Sequence, residues 1–184
     1  MKRKKLAVSL LGVILVGCSA STGPSTGPSQ EELEDARTHL QAVSVAMEAY
    51  WEAEKSLPEW RDPSGREAMA AIERMAQALK SVEATAADYR TALSASTLDL
   101  EVQALGLLIP QNAEATRAAW EQARPEFEAW LLRGRLVSRA KMLRSFHYSY
   151  NALESSVKHA EYTIDRFMCE GSGNDWNADS SSCD

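Results

Sequence analysis

The sequence contains few of the residue patterns that build catalytic or nucleotide-binding sites. Its three His are His39, His147 and His159. None of them follows a Glu by three positions, as in di-iron bundles, and the zinc-protease spacing His-Glu-x-x-His is missing as well. The chain has neither a glycine-rich nucleotide-binding motif nor a series of alternating strand patterns. These absences favour an all-α protein that does no catalysis.

Long apolar runs are also scarce. The N-terminal run from Leu6 to Gly17 is too short for a bilayer-spanning helix, which needs about 20 apolar residues. A basic cluster at residues 2–5 precedes this run, and a small residue, Gly17, ends it. This arrangement is typical of a secretory signal peptide, which is removed from the mature protein.

The tetrapeptide Leu15-Val16-Gly17-Cys18 resembles the lipobox of bacterial lipoproteins. The resemblance covers residues 1–18 and implies cleavage before Cys18, alkylation of its thiol by diacylglycerol and acylation of the new amino terminus. Two or more acyl chains give a stable membrane anchor. Ser19 follows the Cys where inner-membrane lipoproteins tend to carry Asp, so the resemblance implies the outer membrane if the host has two membranes. The alternative is an ordinary signal peptide beside a chance Cys.

Positive charge is in the minority. The chain has formal net charge −6 at pH 7, and residues 1–17 contain four basic and no acidic residues, so the remainder carries −10. An acidic body of this kind disfavours binding to nucleic acid and flat adsorption to anionic lipid. We therefore expect the lipid anchor alone to hold the protein at the membrane, and we expect no nucleic-acid partner.

Composition divides the chain into four segments. Residues 1–17 form the signal peptide, and residues 18–29 contain the lipidated Cys and a repeated Ser-Thr-Gly-Pro sequence without apolar residues to bury. We expect residues 19–29 to form a disordered stalk that reaches about 18 Å on average. Residues 30–168 carry the helical patterns of the bundle domain, and residues 169–184 form a polar tail.

Two capping boxes mark the starts of two helices. Ser29 with Glu32, and Ser64 with Glu67, have the spacing of this motif. The first helix should end near Leu57, because Pro58 disfavours helical geometry at the residue before it. Apolar residues recur behind each box at intervals of three and four, which predicts one buried face per helix. The first face comprises Leu33, Ala36, Leu40, Val43, Met47 and Tyr50, and the second comprises Met69, Ile72, Met75, Ala76, Leu79, Val82, Tyr89 and Leu93.

The middle of the chain is less regular. The segment 98–109 has apolar residues on too many faces for a surface helix, which predicts a buried helix, with a short strand as the alternative. Pro110 predicts a boundary or a first-turn position, Asn112 could cap a helix that begins after it, and Pro125 predicts a kink or a split. The number of helices between residues 94 and 135 therefore stays open.

The last helical segment carries the longest apolar repeat and should run to about Met168. Its two rows are Leu136, Leu143, Tyr150, Val157 and Ile164, and Phe146, Leu153, Ala160 and Phe167. Rows spaced by seven residues predict a coiled-coil-like seam. Together the patterns predict an antiparallel bundle of three to four long helices. We expect a monomeric body, because the seams are needed to pack the helices on one another.

The polar tail offers a disulfide and a weak calcium motif. With Cys18 lipidated, Cys169 and Cys183 remain as an even pair, which predicts a disulfide in an exported protein; free thiols or a metal pair are the alternatives. Asp175, Asn177 and Asp179 match the first ligand positions of an EF-hand loop. The motif is incomplete, because Ser180 replaces the usual Gly and the bidentate Glu has no counterpart. We expect no cofactor other than this possible calcium ion.

The five Trp divide into two groups. Trp51, Trp120 and Trp130 lie on or beside helical apolar faces and should belong to the core. Trp60 lies in a turn and Trp176 in the tail, where an aromatic side chain either contacts a partner or folds back over the bundle end.

We expect a lipid-anchored envelope protein that binds another, unidentified envelope protein. The alternatives are an ion- or small-ligand-binding module and, less favoured, an enzyme.

Overall fold

The fold is an all-α bundle, as the sequence predicted. The computed structural model describes residues 28–57, 65–94, 98, 100–133, 141 and 143–183. This part of the chain contains four helices and a short antiparallel hairpin. The helices are α1 (Gln30–Lys55), α2 (Arg66–Ser94), α3 (Leu100–Arg133) and α4 (Arg144–Gly171), and the strands are β1 (Trp176–Asn177) and β2 (Ser182–Cys183).

The start of α1 is fixed by the capping box that the sequence predicted. The Glu32 backbone N–H donates to the Ser29 hydroxyl at 3.2 Å, and the Ser29 backbone N–H donates to the Glu32 carboxylate at 3.1 Å. These two bonds satisfy donors that a helix start leaves without partners. The helix ends at Lys55, close to the predicted end near Leu57. The second predicted box includes Ser64, which lies outside the described residues.

Each helix packs against two others. α1 and α3 both contact α2 and α4. Neighbouring helices run in opposite directions, so the end of one lies near the start of the next. The Ser56 hydroxyl after α1 accepts a hydrogen bond from Arg74 early in α2 at 2.8 Å. In the same way, Arg37 of α1 pairs with Asp165 late in α4 at 3.4 Å, whereas Glu54 lies against His147 at 3.7 Å. The coiled-coil geometry of these pairs stays a prediction.

One continuous core lies between the four helices. The predicted apolar faces of α1 and α2 are buried apart from Met69, which is half-buried against the core. The α4 rows are buried as well, except for Phe167, which is half-buried, and Leu136, which lies outside the described residues. Trp120 is fully buried, and Trp51 and Trp130 pack against the core from its edge, in agreement with the sequence.

The predicted boundary at Pro110 and split at Pro125 are wrong. α3 runs without interruption through both positions, and Asn112 caps nothing but donates to the Ser156 hydroxyl at 2.8 Å. An interior Pro costs a helix about 3 kcal/mol. Burying one large apolar side chain stabilises by about 1.5–3 kcal/mol, so it is the whole buried face of α3 that outweighs the two prolines. This face comprises Val102, Leu105, Ile109, Trp120, Phe127 and Leu131. Tertiary burial therefore exceeds the local preference of Pro.

The prediction of a buried helix over residues 98–109 is only partly right. The segment is helical from Leu100, but only one of its faces is buried, through Val102, Leu105 and Ile109. Leu100, Leu107 and Leu108 are exposed instead, whereas Leu98, which precedes the helix, is buried. α4 also extends past the expected end at Met168, because Cys169 is part of its last turn and is buried.

Candidate interaction surfaces

The polar tail is attached to α4 at two points. Cys169 and Cys183 lie at disulfide distance, with Cα atoms 5.6 Å apart, as the sequence predicted. The Trp176 ring N–H donates to the Tyr162 hydroxyl at 3.0 Å, and the two rings meet edge to face at 5.3 Å. Trp176 is therefore half-buried on α4. A role for it in partner binding stays a prediction.

The three calcium candidates lie in and beside the hairpin turn. Asp175 and Asp179 are exposed. The Asn177 side-chain oxygen accepts hydrogen bonds from the backbone N–H groups of Asp179, at 3.1 Å, and of Ser180, at 3.2 Å. Among the described residues, no cluster of three or more His, Cys, Asp or Glu has an arrangement that could hold a metal ion. Calcium binding by this turn stays a prediction.

Two predicted sites lie outside the described residues. These are the predicted lipidation site Cys18, with the predicted signal peptide and most of the predicted stalk, and Trp60, which follows α1 in the sequence. Within the part of the chain that the structure describes, none of the helices combines the length and apolarity needed to span a membrane.

The three histidines lie against three different carboxylates. Each pair joins an imidazole nitrogen to a carboxylate oxygen at 3.7–3.8 Å. The pairs are His39 with Asp35, His147 with Glu54, and His159 with Glu101. The members of the first pair are four residues apart on α1, which is the usual spacing of a contact on a helix surface. The structure does not bring the three histidines together into one site.

A groove of about 470 Å³ lies between α1 and α4. Its lining residues, which define the α1–α4 groove, are Gln41, Ser44, Val45, Met47, Glu48, Trp51, Glu154, Val157, Lys158 and Glu161. Met47 and Val157 are buried and form its floor. Val45 is 59% exposed, and Trp51 is half-buried, so both present apolar surface to solvent.

The rim of the α1–α4 groove is acidic. Glu48, Glu154 and Glu161 face it, against a single cation, Lys158. Lys158 already pairs with Glu154 at 2.7 Å. The Ser44 hydroxyl donates to the Glu161 carboxylate at 2.8 Å, which fixes that carboxylate without neutralising it. The groove therefore combines apolar walls with three carboxylates and one ammonium group, which leaves its lining with a net negative charge.

A second surface consists of leucines on the outer side of α3. Leu100, Leu107 and Leu108, here named the leucine face, are 82%, 48% and 46% exposed. Offsets of seven and eight residues place them on one side of a helix. Ala104 and Ala115, both exposed, continue this apolar surface at helical spacing. The buried Gly106 lies at the opposite edge of the same turn, where a Cβ atom would overlap Leu93 of α2. Gly106 therefore lets α3 approach α2 closely while the leucines face outward.

Sequence reasoning identified neither surface. Trp51 was assigned to the core, and the leucines of residues 98–109 were assigned to a buried helix. A signal was present for the leucine face, because Leu100, Leu107 and Leu108 follow a helical spacing distinct from that of Val102, Leu105 and Ile109. Two apolar faces on one helix indicate either full burial or one buried and one exposed face, and periodicity alone does not distinguish them. The sequence contains no comparable pattern for the α1–α4 groove, because the groove depends on how two segments distant in the sequence pack together.

Comparisons with known proteins add no functional assignment. A scan against protein-family models, a search of curated proteins and a search of solved structures each gave no match. Function must therefore be argued from the chain's own residues, which offer two exposed apolar surfaces and the N-terminal lipobox resemblance.

Proposed function

We propose that the protein is a lipid-anchored component of the bacterial cell envelope whose helical body binds another envelope protein and does no catalysis. The observation that carries the interaction is the leucine face. Burying a large aliphatic side chain stabilises by about 1.5–3 kcal/mol, and contiguous exposed apolar surface marks interaction sites. Leu100, Leu107 and Leu108 leave this free energy available to a partner.

The location rests on the sequence. The resemblance of Leu15-Val16-Gly17-Cys18 to a lipobox supports anchoring through Cys18, and Ser19 favours the outer membrane where two membranes are present. The Ser-Thr-Gly-Pro segment would lift the body off the lipid by about 18 Å on average. At that distance a helical body would meet proteins of the envelope while its acidic surface is repelled by anionic lipid.

Site-specific photocrosslinking in native membranes tests this function. Full-length protein carries a photoreactive phenylalanine analogue in place of Leu108, and the control carries it in place of Gln77, which is exposed on α2. We expect one dominant protein product at position 108 and none at position 77. The absence of any protein product at both positions, or products of equal yield and diversity at both, would contradict the proposal.

The anchor is tested separately. Replacing Cys18→Ala removes the thiol that the resemblance implies is lipidated. We expect the variant to lack the mass of the acyl chains and to keep its uncleaved N-terminal segment, as judged by mass spectrometry. An unmodified Cys18 in the mature wild-type protein would contradict the anchor and favour an ordinary signal peptide.

A further inference from the structure

We infer that the α1–α4 groove is a docking site for a basic amphipathic helix of the partner protein. This docking site depends on the interaction function proposed above and adds to it a surface and a partner chemistry. It is separate from the leucine face, because the groove is lined by α1 and α4 and the leucines lie on α3.

The dimensions of the groove suit a short helix. α1 and α4 contact each other less extensively than the other neighbouring helix pairs, which leaves the space between them open. The α1 wall runs from Gln41 to Trp51, and at 1.5 Å per residue this distance is about 15 Å. A docked helix of about ten residues, or three turns, would match that length.

The walls provide apolar anchors that are already in place. The Trp51 ring is held edge-on against Tyr50, at 5.6 Å, and against Tyr150, at 5.0 Å, so little conformational freedom remains to be lost on binding. Trp is also the residue type most enriched at binding hot spots. Val45 lies one and a half turns earlier on α1 with most of its side chain exposed. Apolar residues at positions i, i+3 or i+4 and i+7 of a docked helix would cover both.

The negative charge of the α1–α4 groove favours a positively charged binding partner. Glu48, Glu154 and Glu161 border the apolar walls, and Lys158, which pairs with Glu154 at 2.7 Å, is the single cation among the groove residues. Lys or Arg flanking the apolar stripe of a docked helix would meet these carboxylates. A second copy of this chain docking groove to groove would instead bring like charges together, and an anionic lipid surface would be repelled. The complementary occupant is therefore a cationic amphipathic segment of another protein.

Crosslinking from the groove tests the partner chemistry. The photoreactive analogue replaces Val45 in full-length protein in native membranes, and the crosslinked segment is sequenced. We expect a segment in which Lys or Arg flanks apolar residues at helical spacing. An acidic or uncharged segment, a second copy of this chain, or no protein product at position 45 would overturn the inference. If position 108 still gives its product in such a case, the proposed interaction function survives and only the groove assignment fails.

A synthetic peptide tests whether the carboxylates of the α1–α4 groove contribute to binding. The probe is a fluorescent helical peptide of Leu and Lys, with Leu at i, i+3, i+4 and i+7, titrated onto full-length protein in zwitterionic nanodiscs, with empty nanodiscs as background. Because loss of two exposed ion pairs lowers affinity only modestly, we expect E48Q with E161Q to weaken binding about fivefold at physiological salt. Glu121→Gln with Glu126→Gln, which removes the same charge from the exposed side of α3, should leave affinity unchanged. Equal weakening by both pairs, or by neither, would overturn the inference.

Discussion

Two buried tyrosines, Tyr89 and Tyr150, differ in whether the hydroxyl group has a hydrogen-bond partner. The Tyr150 hydroxyl donates to the Met47 carbonyl at 3.0 Å, which joins α4 to α1. The Tyr89 hydroxyl has no hydrogen-bond partner within the described part of the chain. A buried hydroxyl without a partner costs folding free energy, whereas a hydrogen bond contributes a net stabilisation of about 1 kcal/mol. The two residues therefore respond in opposite ways to loss of the hydroxyl.

The pair of variants Tyr150→Phe and Tyr89→Phe measures this difference. We expect Tyr150→Phe to lower the free energy of unfolding by about 1 kcal/mol, because the bond to Met47 is lost. Tyr89→Phe should leave it unchanged or raise it, because an unsatisfied hydroxyl is removed without leaving a cavity. Urea unfolding followed by circular dichroism gives both values. Equal destabilisation by the two variants would show that the Met47 bond carries no net stability.

The same tyrosines predict a loss of stability at alkaline pH. Burial raises the pKa of Tyr89 and of Tyr150 well above the ordinary value near 10. In the unfolded chain both lose their protons above about pH 10, while the folded protein retains them, so the free energy of unfolding falls as pH rises beyond that point. We expect Tyr89→Phe to reduce this slope. The exposed Tyr148 serves as control, and a slope that Tyr89→Phe leaves unchanged would contradict the assignment.

At the scale of elements, the hairpin of β1 and β2 depends on α4 for its position. It is held by the Cys169–Cys183 disulfide and by the contact of Trp176 with Tyr162. Its own backbone pairing covers only two residue pairs, Trp176 with Cys183 and Asn177 with Ser182. A two-stranded hairpin is marginal in water without further support. The disulfide and the Trp176 ring therefore supply the stability that the strands lack.

Removing the disulfide tests that dependence. For a sequence separation of 14 residues, the chain-entropy model gives a stabilisation of about 3 kcal/mol. We expect Cys169→Ser with Cys183→Ser to lower the free energy of unfolding by up to that amount and to make the tail cleavable by protease while α4 stays protected. Trp176→Ala, which keeps the disulfide, is the matched control. It should make the tail less sensitive to protease than the double Cys variant does. Equal protease resistance of wild type and the double variant would contradict this account.

The hairpin turn also gives a prediction about calcium. Asn177 uses its side-chain oxygen to accept two backbone N–H groups, and a bound ion would compete with these bonds. We expect calcium at millimolar concentration, the range of weak extracellular sites, to leave the melting temperature unchanged. A calcium-dependent rise that Asp175→Asn with Asp179→Asn abolishes would instead support the ion-binding alternative for this tail.

At the scale of the whole molecule, two exposed surfaces lie on different helices of the bundle. α1 and α3 both pack against α2 and α4, so the α1–α4 groove and the leucine face of α3 are separated by the core. A protein with this arrangement has room for one partner that reaches both surfaces or for two partners. The acidic charge of the body disfavours close self-association, which agrees with a monomer in solution.

Substitutions in the leucine face should separate binding from folding. Leu100→Gln with Leu107→Gln leaves position 108 available for the photoreactive analogue and changes only exposed side chains, and such changes usually alter stability by no more than about 0.5 kcal/mol. We expect the variant to lose the crosslinked partner while its melting curve is preserved. Leu105→Gln on the buried side of the same helix is the contrasting control and should destabilise by several kcal/mol. A leucine-face variant that unfolds like this control would show that the leucines serve the fold.

The sequence alone determined the features that depend on neighbours in the chain. The capping box of Ser29 and Glu32 and the apolar rows of α1, α2 and α4 follow from interactions across a few residues, so a linear pattern contains them. The pairing of Cys169 with Cys183 was predictable by elimination once Cys18 was assigned to the lipid. The lipobox resemblance, likewise, is readable only in the sequence, since Cys18 lies outside the described residues.

Only the tertiary structure decided the continuity of α3 and the two surfaces. Pro110 and Pro125 have local preferences against helix, and these are outweighed by the burial of a whole face of α3, from Val102 to Leu131, against other helices. In the same way, the burial of Leu105 and the exposure of Leu107 depend on which side of α3 faces its neighbours. The α1–α4 groove unites side chains more than 100 positions apart, such as Ser44 and Glu161. These properties depend on packing between segments that are distant in the sequence. A sequence pattern shows which residues share a face of a helix. It does not show which of these faces another helix covers.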